Sequence, residues 1–213
     1  MTRIILVRHG ETAWNKVERV RGQVEVPLNE AGLAQAELTA ERVLEQWTPV
    51  AVYSSPLQRA VQTGQALARR LGLEVQPVTG FNDINFGQWQ GLPPSEVEQR
   101  WPDLARAWLN APQSVTLPGG ESLAVLLQRN MTALHQVIQR HPNQDMAVVG
   151  HTVVNRVILM AVLGLDNSSY WRIGQDNCAI NVFRWQENVF YIDLLNDTCH
   201  LRGKDRANLT QRP

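Results

Sequence analysis

The feature of this chain that most constrains its fold is a regular alternation of short apolar runs with longer amphipathic stretches. Apolar runs bounded by charged or turn residues are typical of buried strands, whereas apolar residues spaced by three and four are typical of helices. Strands that alternate with helices predict a mostly parallel sheet with right-handed crossovers. We therefore expect an α/β fold, a three-layer α/β/α sandwich with a mostly parallel central sheet.

Six segments carry the pattern of strands: 4–7, 50–53, 73–78, 146–149, 178–185 and 189–195. The last two predict an antiparallel hairpin that closes one edge of the sheet. Helical periodicity covers four further segments: 30–47, 56–72, 121–141 and 153–163. Pro56 is expected in the first turn of its helix, where a missing backbone N–H is tolerated.

Residues 79–120 differ from the rest of the chain because glycine and proline recur throughout them. Within this segment Ser95 and Glu98 have the spacing of a capping box, which predicts one helix through Trp101 to about Trp108. We interpret the segment as a small inserted cap, a common place for specificity.

The whole chain, residues 1–213, is expected to form one domain, with 200–213 as a loose polar tail. Its 20 Lys and Arg residues balance 20 Asp and Glu residues, so no net field attracts nucleic acid or an anionic membrane. No apolar segment approaches the roughly 20 residues of a membrane span, and the start lacks a signal-peptide core. Two cysteines make no disulfide framework. We expect a cytoplasmic protein whose apolar hairpin suits a homodimer.

Two arginines and two histidines follow strands of the predicted sheet. Arg8 and His9 come at the end of the first strand, Arg59 follows the second after a short turn, and His151 directly follows 146–149. Ligands of such sheets bind beyond the carboxyl ends of the strands, where these residues would meet. Arginine stays charged and presents a planar fork that matches phosphate oxygens. Each residue alone is most simply structural, but together they predict a phosphate pocket.

Other phosphate chemistries have less support. A Walker loop needs glycine before its lysine, but Lys16 follows Asn15, and Lys204 is the only other lysine. The chain has no D-x-D pair for magnesium and no H-E-x-x-H for zinc, so we expect no metal. Cys178 and Arg184 have the spacing of cysteine-dependent phosphatases, but the residues between them have the pattern of a strand rather than a phosphate-cradling loop.

Three motifs in this order carry a family resemblance. R-H-G-E-T at 8–12, S-P-L-Q-R-A at 55–60 and G-H at 150–151 resemble the phosphoglycerate-mutase-like branch of the histidine phosphatase superfamily. The resemblance runs from about residue 2 to 195. It implies the fold of that branch and catalysis through a phosphohistidine, with neither metal nor cofactor. The acid-phosphatase branch usually shows arginine and proline soon after its R-H-G, which this chain does not.

The resemblance also implies roles for single residues. His9 would be the nucleophile, and it must be neutral to attack, as its ordinary pKa of about 6.5 allows. Arg8, Arg59 and His151, the last best in its protonated form, would hold the phosphoryl oxygens. Further contacts to the substrate are expected from Asn15, Gly22, Gln23 and Thr152.

The general acid is expected to be Asp83, at a position where the family typically has a glutamate before its Phe-Gly and Trp-x-Gly. The aspartate is one methylene shorter, so its reach to the leaving oxygen depends on the backbone. A carboxyl group there would protonate the leaving alkoxide and then activate water. Glu11 is expected to be structural, and Glu121 to be a capping residue or a support of the site.

We expect hydrolysis rather than transfer of the phosphoryl group to a second hydroxyl, because the segment that could close over the site is short. Mutases of this branch carry a longer, often lysine-bearing insertion after the acid, whereas 68 residues separate Asp83 from His151 (151 − 83) and none is lysine. We expect a phosphomonoesterase for a small metabolite, with phosphoserine the first candidate, α-ribazole phosphate the next and a sugar phosphate also considered. A phosphoglycerate mutase and a non-catalytic phospho-ligand binder stay as alternatives. Trp89, Trp101 and Trp108 either line the cap or fill the core.

Overall fold

The computed structural model describes residues 1–17 and 19–201. These residues contain six strands: Thr2–Arg8 (β1), Val52–Ser54 (β2), Val75–Pro77 (β3), Asp145–Gly150 (β4), Ile180–Gln186 (β5) and Val189–Asp197 (β6). They form one sheet in the order β3-β2-β4-β1-β5-β6. The first four strands pair in parallel, and β5 is antiparallel to both β1 and β6. The predicted mostly parallel sheet with an antiparallel edge is confirmed.

The described residues contain seven α-helices: Ala13–Lys16 (α1), Glu30–Leu44 (α2), Gln58–Leu71 (α3), Pro94–Arg100 (α4), Pro102–Asn110 (α5), Leu123–Arg140 (α6) and Thr152–Val162 (α7). Leu57 precedes α3 as its N-cap, so Pro56 lies before the helix and not in its first turn as predicted. The helix ends at Gly72, whose φ of 66° is the left-handed conformation that glycine adopts without strain. This end was predicted correctly.

Successive side chains of the central strand face opposite helical layers. Ile5 and Val7 of β1 belong to the core shared with α2 and α3, whereas Ile4 and Leu6 belong to the core shared with α6 and α7. All four side chains are buried. A strand that is covered on both faces reads as a continuous apolar run, which is the pattern from which β1 was predicted. The predicted three-layer sandwich is confirmed.

The cap segment contains two helices rather than the predicted single helix that reaches Trp108. Pro102 disfavours helical backbone at the residue before it, and Trp101 accordingly has a φ of −135° and a ψ of 62° between α4 and α5. The N-cap of α4 is Pro93, so the capping box predicted at Ser95 was wrong. Two short helices joined at a corner place their apolar sides against the large core.

The predicted loose tail falls largely outside the described residues, since 202–213 are not among them. The segment Cys199–Leu201 forms a 3₁₀ turn in which the Leu201 side chain is buried. Nε2 of His200 lies 3.1 Å from Oγ1 of Thr39. In the part of the chain that the structure describes, no helix is both long and apolar enough to cross a membrane.

Candidate active site

The carboxyl ends of three parallel strands meet at one edge of the sheet. Arg8 of β1 pairs with Gly150 of β4, and β2 ends beside the same strand. His9 and His151 directly follow these strands, so their ring centroids lie 5.1 Å apart, and the His9 backbone N–H donates to Gly150 O at 3.1 Å. Both imidazoles are buried. Asp83 and Arg59 join them, so the structure brings together the five residues predicted to be catalytic.

The His9 ring is held in one tautomer by the backbone. Its Nδ1 lies 2.7 Å from Gly10 O, and because a carbonyl only accepts, Nδ1 carries the hydrogen and Nε2 keeps its lone pair. Burial, followed by the charges of Arg59, Arg8 and Arg21, lowers the pKa of His9 well below its ordinary value. The ring is therefore neutral at neutral pH, as a nucleophile must be.

His151 has the opposite tautomer. Nε of Arg59 donates to its Nδ1 at 3.3 Å, so the hydrogen of the neutral ring lies on Nε2. That buried Nε2 has no hydrogen-bond partner among the described residues. Burial and then the charges around it lower the pKa of His151 well below its ordinary value, so the ring is neutral at rest, although the protonated form would best serve the role that the resemblance implies. A neutral His151 still presents an N–H donor.

Arg8 is buried, and its guanidinium is only partly used by the protein. Nη1 donates to Gln175 O at 2.5 Å, whereas Nε and Nη2 are buried without a partner among the described residues. Burial and then the charges of Arg21 and Arg156 lower the pKa of Arg8 to about 9. The group stays charged at neutral pH, with two N–H-bearing atoms available for an anion.

Arg59 differs from Arg8 because its whole guanidinium is hydrogen-bonded to the protein. Its Nη1 donates to Val24 O at 2.9 Å, and its Nη2 donates to Gly22 O at 2.7 Å and to Oδ2 of Asp83 at 3.1 Å. With Nε on His151, each nitrogen of this buried guanidinium has a protein acceptor. Arg59 thus connects Asp83, the predicted acid, with His151, a predicted phosphate ligand. To contact phosphate as predicted, Arg59 must share its N–H groups between the phosphate and these protein acceptors.

Asp83 has the environment of a carboxyl group that keeps its proton to unusually high pH. It is buried, and Oδ2 lies 3.6 Å from Nδ1 of His151. Burial raises the pKa of Asp83, an effect that the charge of Arg59 offsets only in part. The side chain lines the same cavity as His9. The position inferred from the resemblance therefore carries a carboxyl group suited to general acid chemistry.

A second arginine fixes the backbone that carries this acid. Arg129 of α6 donates from Nη2 to Asp83 O at 2.8 Å and from Nη1 to Gly80 O at 2.9 Å and Asn82 O at 2.7 Å. Nε of Arg129 donates to Glu121 at 2.9 Å, and Ser122 rather than Glu121 is the N-cap of α6. Glu121 is therefore a support of the acid-bearing loop, one of the two readings of its sequence position.

Replacing Arg129 with glutamine should reduce kcat for an alkyl phosphate by roughly 10- to 100-fold, because the acid-bearing loop loses the donors that hold its three carbonyls. KM should change little, since Arg129 does not line the cavity. Steady-state kinetics of Arg129→Gln, with the exposed Arg140→Gln of the same helix as control, test this role. Equal changes in the two variants would contradict it.

The residues predicted to contact the substrate divide into two groups. Gly22 and Thr152 line the cavity. A Cβ at Gly22 would meet Oε1 of Gln90 at 2.4 Å, and its φ of 54° is left-handed, so only glycine fits there. Gln23 instead donates from Nε2 to Asp83 O at 3.0 Å, and the Asn15 oxygen accepts from Thr12 at 2.8 Å. Gln23 and Asn15 thus support loops of the site and are not in the cavity wall.

A cavity of about 560 Å³ opens from His9 under the cap segment. Its wall away from the histidine is largely aromatic and is formed by Phe86, Trp89, Trp108, Tyr170 and Trp171. Trp89 and Trp108 are buried core residues as well as wall residues, so both predicted roles apply to them, while Trp101 packs against the same core without lining the cavity. The size and the apolar wall suit a small organic molecule.

Comparison with known proteins shows to which family this chain belongs. The sequence profile of the histidine phosphatase superfamily (branch 1) matches residues 4–198. The chain belongs to this superfamily. It is 39% identical over 201 residues to phosphoserine phosphatase 1 of Hydrogenobacter thermophilus, covering 94% of this chain and 95% of that protein. It is 36% identical over 203 residues to the metal-independent phosphoserine phosphatase of Arabidopsis thaliana, covering 94% and 84%.

A solved structure is similar at the level of the whole fold. A mutant phosphoserine phosphatase from Entamoeba histolytica in complex with phosphoserine superposes on this histidine phosphatase with a TM-score of 0.80. The two are 26% identical, and the match covers 94% of this chain and 100% of the other. The match therefore extends over nearly the whole fold.

Two arginines of this histidine phosphatase were not predicted to be functional. Arg21 and Arg156 both line the cavity, and Nη1 of Arg21 is buried without a partner among the described residues. Burial is the main cause that lowers the pKa of Arg21 to about 10, so it is charged at neutral pH. The weak signal available was the place of Arg21, directly before the predicted substrate loop at Gly22.

The cysteine alternative is excluded by the position of the thiol. Cys178 is buried, and burial raises its pKa to about 12, the opposite of what a thiolate nucleophile needs. Arg184, the other half of the spacing, lies on β5 and pairs with Asp193 of β6 at 2.8 Å. In the part of the chain that the structure describes, no group of three or more His, Cys, Asp or Glu side chains is placed to hold a metal ion.

Proposed function

We propose that this histidine phosphatase hydrolyses phosphoserine through a phosphohistidine on His9, with no metal ion. The observation that carries the proposal is a set of buried N–H donors that find no acceptor among residues 1–17 and 19–201: Nε and Nη2 of Arg8, Nη1 of Arg21 and Nε2 of His151. Buried donors are normally paired, and charged donors of this kind match phosphoryl oxygens. They surround the imidazole whose Nε2 keeps its lone pair.

In the first step Nε2 of His9 attacks phosphorus and the bond from phosphorus to the ester oxygen breaks. The electron pair of that bond goes to the leaving oxygen, which takes the proton of Asp83. Arg8, Arg21 and His151 hold the other phosphoryl oxygens and stabilise the charge of the transition state. The products are serine, a carboxylate at Asp83 and phosphohistidine.

In the second step water attacks the phosphohistidine. The Asp83 carboxylate accepts a proton from that water, the bond from phosphorus to Nε2 breaks, and phosphate leaves. His9 and the acid return to their initial states, so the cycle consumes one water and releases one phosphate. Arg59 donates to Asp83 at 3.1 Å and so orients the carboxyl group that transfers the proton.

Phosphoserine is the substrate that the comparisons favour. Two relatives that match over most of their length are named phosphoserine phosphatases, and one of those names states metal independence. We further propose that residues 79–120 act as the cap over the cavity, since Phe86, Trp89 and Trp108 come from them. The cytoplasmic location and the homodimer stay predictions.

The test is phosphate release in excess EDTA from phosphoserine, α-ribazole phosphate and 3-phosphoglycerate, with product analysis for 2-phosphoglycerate. We expect release to persist in EDTA and phosphoserine to have the highest kcat/KM. Loss of all release in EDTA would refute the metal-free mechanism. Formation of 2-phosphoglycerate would favour the mutase, and tight binding without turnover would favour the phospho-ligand binder.

A further inference from the structure

Arg156 of α7 is a buried cation that the proposed phosphoryl chemistry does not use. It is 5% exposed, and it makes no ion pair within the described residues. Among these residues Nε donates to Ile173 O at 2.8 Å, and the guanidinium also interacts with the Tyr170 hydroxyl. Burying an arginine without an anion is costly, and such groups are normally paired. Because no carboxylate among the described residues neutralises this cation, an anion in the cavity that Arg156 lines can pair with it.

Aromatic side chains hold this guanidinium in a fixed orientation. Its central carbon lies 5.0 Å from the ring centroid of Tyr170 and 5.0 Å from that of Trp171, within the range of cation–π contact. Nε1 of Trp171 donates to Trp108 O at 2.9 Å, which fixes that ring to the cap. A planar fork that is already immobilised loses little entropy when it binds a planar anion.

Arg156 lies one helical turn beyond the end of α7 that faces the phosphoryl donors. It lies four residues after Thr152, so both face the cavity from the same side of α7, about 6 Å apart along the helix axis. His151 is the N-cap of that helix. The charge of Arg156 contributes to the lowered pKa of Arg8, so the two guanidinium groups act on the same region of the cavity.

Charge in this region exceeds what one phosphoryl group needs. Arg21 and Arg156 line the cavity with Asp83, and Arg59 donates to Asp83 at 3.1 Å. Arg8 is buried at the same strand ends. Asp83 is protonated when it acts as the acid. Outside this set, the half-buried Asp176 lies near Arg8, the exposed Glu25 lies near Arg59, and the exposed Glu98 lies on the cavity rim. None of these acids forms an ion pair with Arg156.

We propose that Arg156 binds a carboxylate on the leaving group, and so selects phosphomonoesters that carry an acid a few bonds from the phosphate. A guanidinium fork pairs with a planar carboxylate through two parallel hydrogen bonds. This inference rests on the proposed function, because it assigns to one residue the selection of phosphoserine over uncharged alkyl phosphates. Arg156 is a specificity residue, and it takes no part in bond breaking.

The experiment compares two substrate pairs that differ only in the carboxylate: phosphoserine with phosphoethanolamine, and 3-phosphoglycerate with glycerol 3-phosphate. In Arg156→Gln we expect KM for both acids to rise roughly 10- to 100-fold, and kinetics for their partners to change less than about threefold. Arg156→Lys, which keeps the charge, should recover part of the loss. The exposed Arg172→Gln, beside Trp171, serves as control, and thermal unfolding checks folding.

The possible results separate this inference from the proposed function. If Arg156→Gln loses the same factor on all four substrates, Arg156 is structural and the inference fails while phosphoserine hydrolysis stands. If the unmodified enzyme does not prefer either acid over its partner, the inference also fails. If phosphoserine is not hydrolysed but 3-phosphoglycerate responds to Arg156 as expected, the proposed substrate fails and the carboxylate site stands.

Discussion

Replacement of His9 by alanine is expected to lower kcat/KM for phosphoserine by at least about 10⁴-fold, because the reaction loses its nucleophile. Among the described residues, no other imidazole has a free Nε2 lone pair beside unpaired phosphoryl donors, since His151 presents N–H there. Initial rates of phosphate release measure the effect. His135→Ala, which removes a ring outside the cavity, should stay within about twofold of the unmodified enzyme.

The His9→Ala variant should still bind phosphoserine although it no longer hydrolyses it. Arg8, Arg21 and His151 remain in His9→Ala, so calorimetry should still detect phosphoserine with a Kd within about tenfold of the KM of the unmodified enzyme. A variant that keeps more than about one hundredth of its activity would show that another group attacks phosphorus. A variant that neither binds nor turns over would assign His9 to the architecture of the site instead.

The second large effect is expected at Asp83. Asp83→Asn should lower kcat for phosphoserine by about 10²- to 10⁴-fold, the usual contribution of a positioned acid or base. The loss should depend on the leaving group. Nitrophenolate leaves without a proton, so the first turnover of p-nitrophenyl phosphate should be nearly as fast as in the unmodified enzyme. Asp103→Asn makes the same change on an exposed position of α5 and serves as control.

The pH dependence follows from the directions of the pKa shifts. The acid must be protonated, so kcat/KM for phosphoserine should fall as pH rises through the pKa of Asp83, which burial raises above 3.8. The nucleophile must be neutral, and because the pKa of His9 is lowered, the acidic limb lies below the ordinary range of histidine. In Asp83→Asn the alkaline limb should disappear. An unchanged alkaline limb would assign the acid to another group.

Much of the site was predictable because its residues are fixed by local sequence. Three of these residues lie at the ends of buried strands: Arg8, His9 and His151. Parallel pairing brings those strand ends together independently of the loop conformations. Asp83 was reached only through the family resemblance, since it lies in a loop whose course depends on Arg129, 46 residues further along the chain. A contact between residues so far apart in the sequence produces no local sequence pattern.

The features that the sequence did not predict also depend on contacts between residues that are distant in the sequence. Arg21 and Arg156 are two of 18 arginines, and nothing in their neighbours distinguishes a buried cation from a solvated one. The resting charge of His151 depends on its burial and then on nearby arginines, and the local sequence indicates neither. The break at Trp101 follows from Pro102, a local signal that conflicts with the capping-box spacing of Ser95 and Glu98.

The central claim, covalent catalysis by His9, is tested most directly in Asp83→Asn mixed with p-nitrophenyl phosphate in EDTA. This variant lacks the base for the second step, so we predict a burst of nitrophenolate equal to the enzyme concentration, followed by slow turnover. Mass spectrometry after an alkaline quench should place one phosphoryl group on the His9 imidazole. Slow release without a burst, together with no phosphoryl group on His9 at any time, would contradict the account.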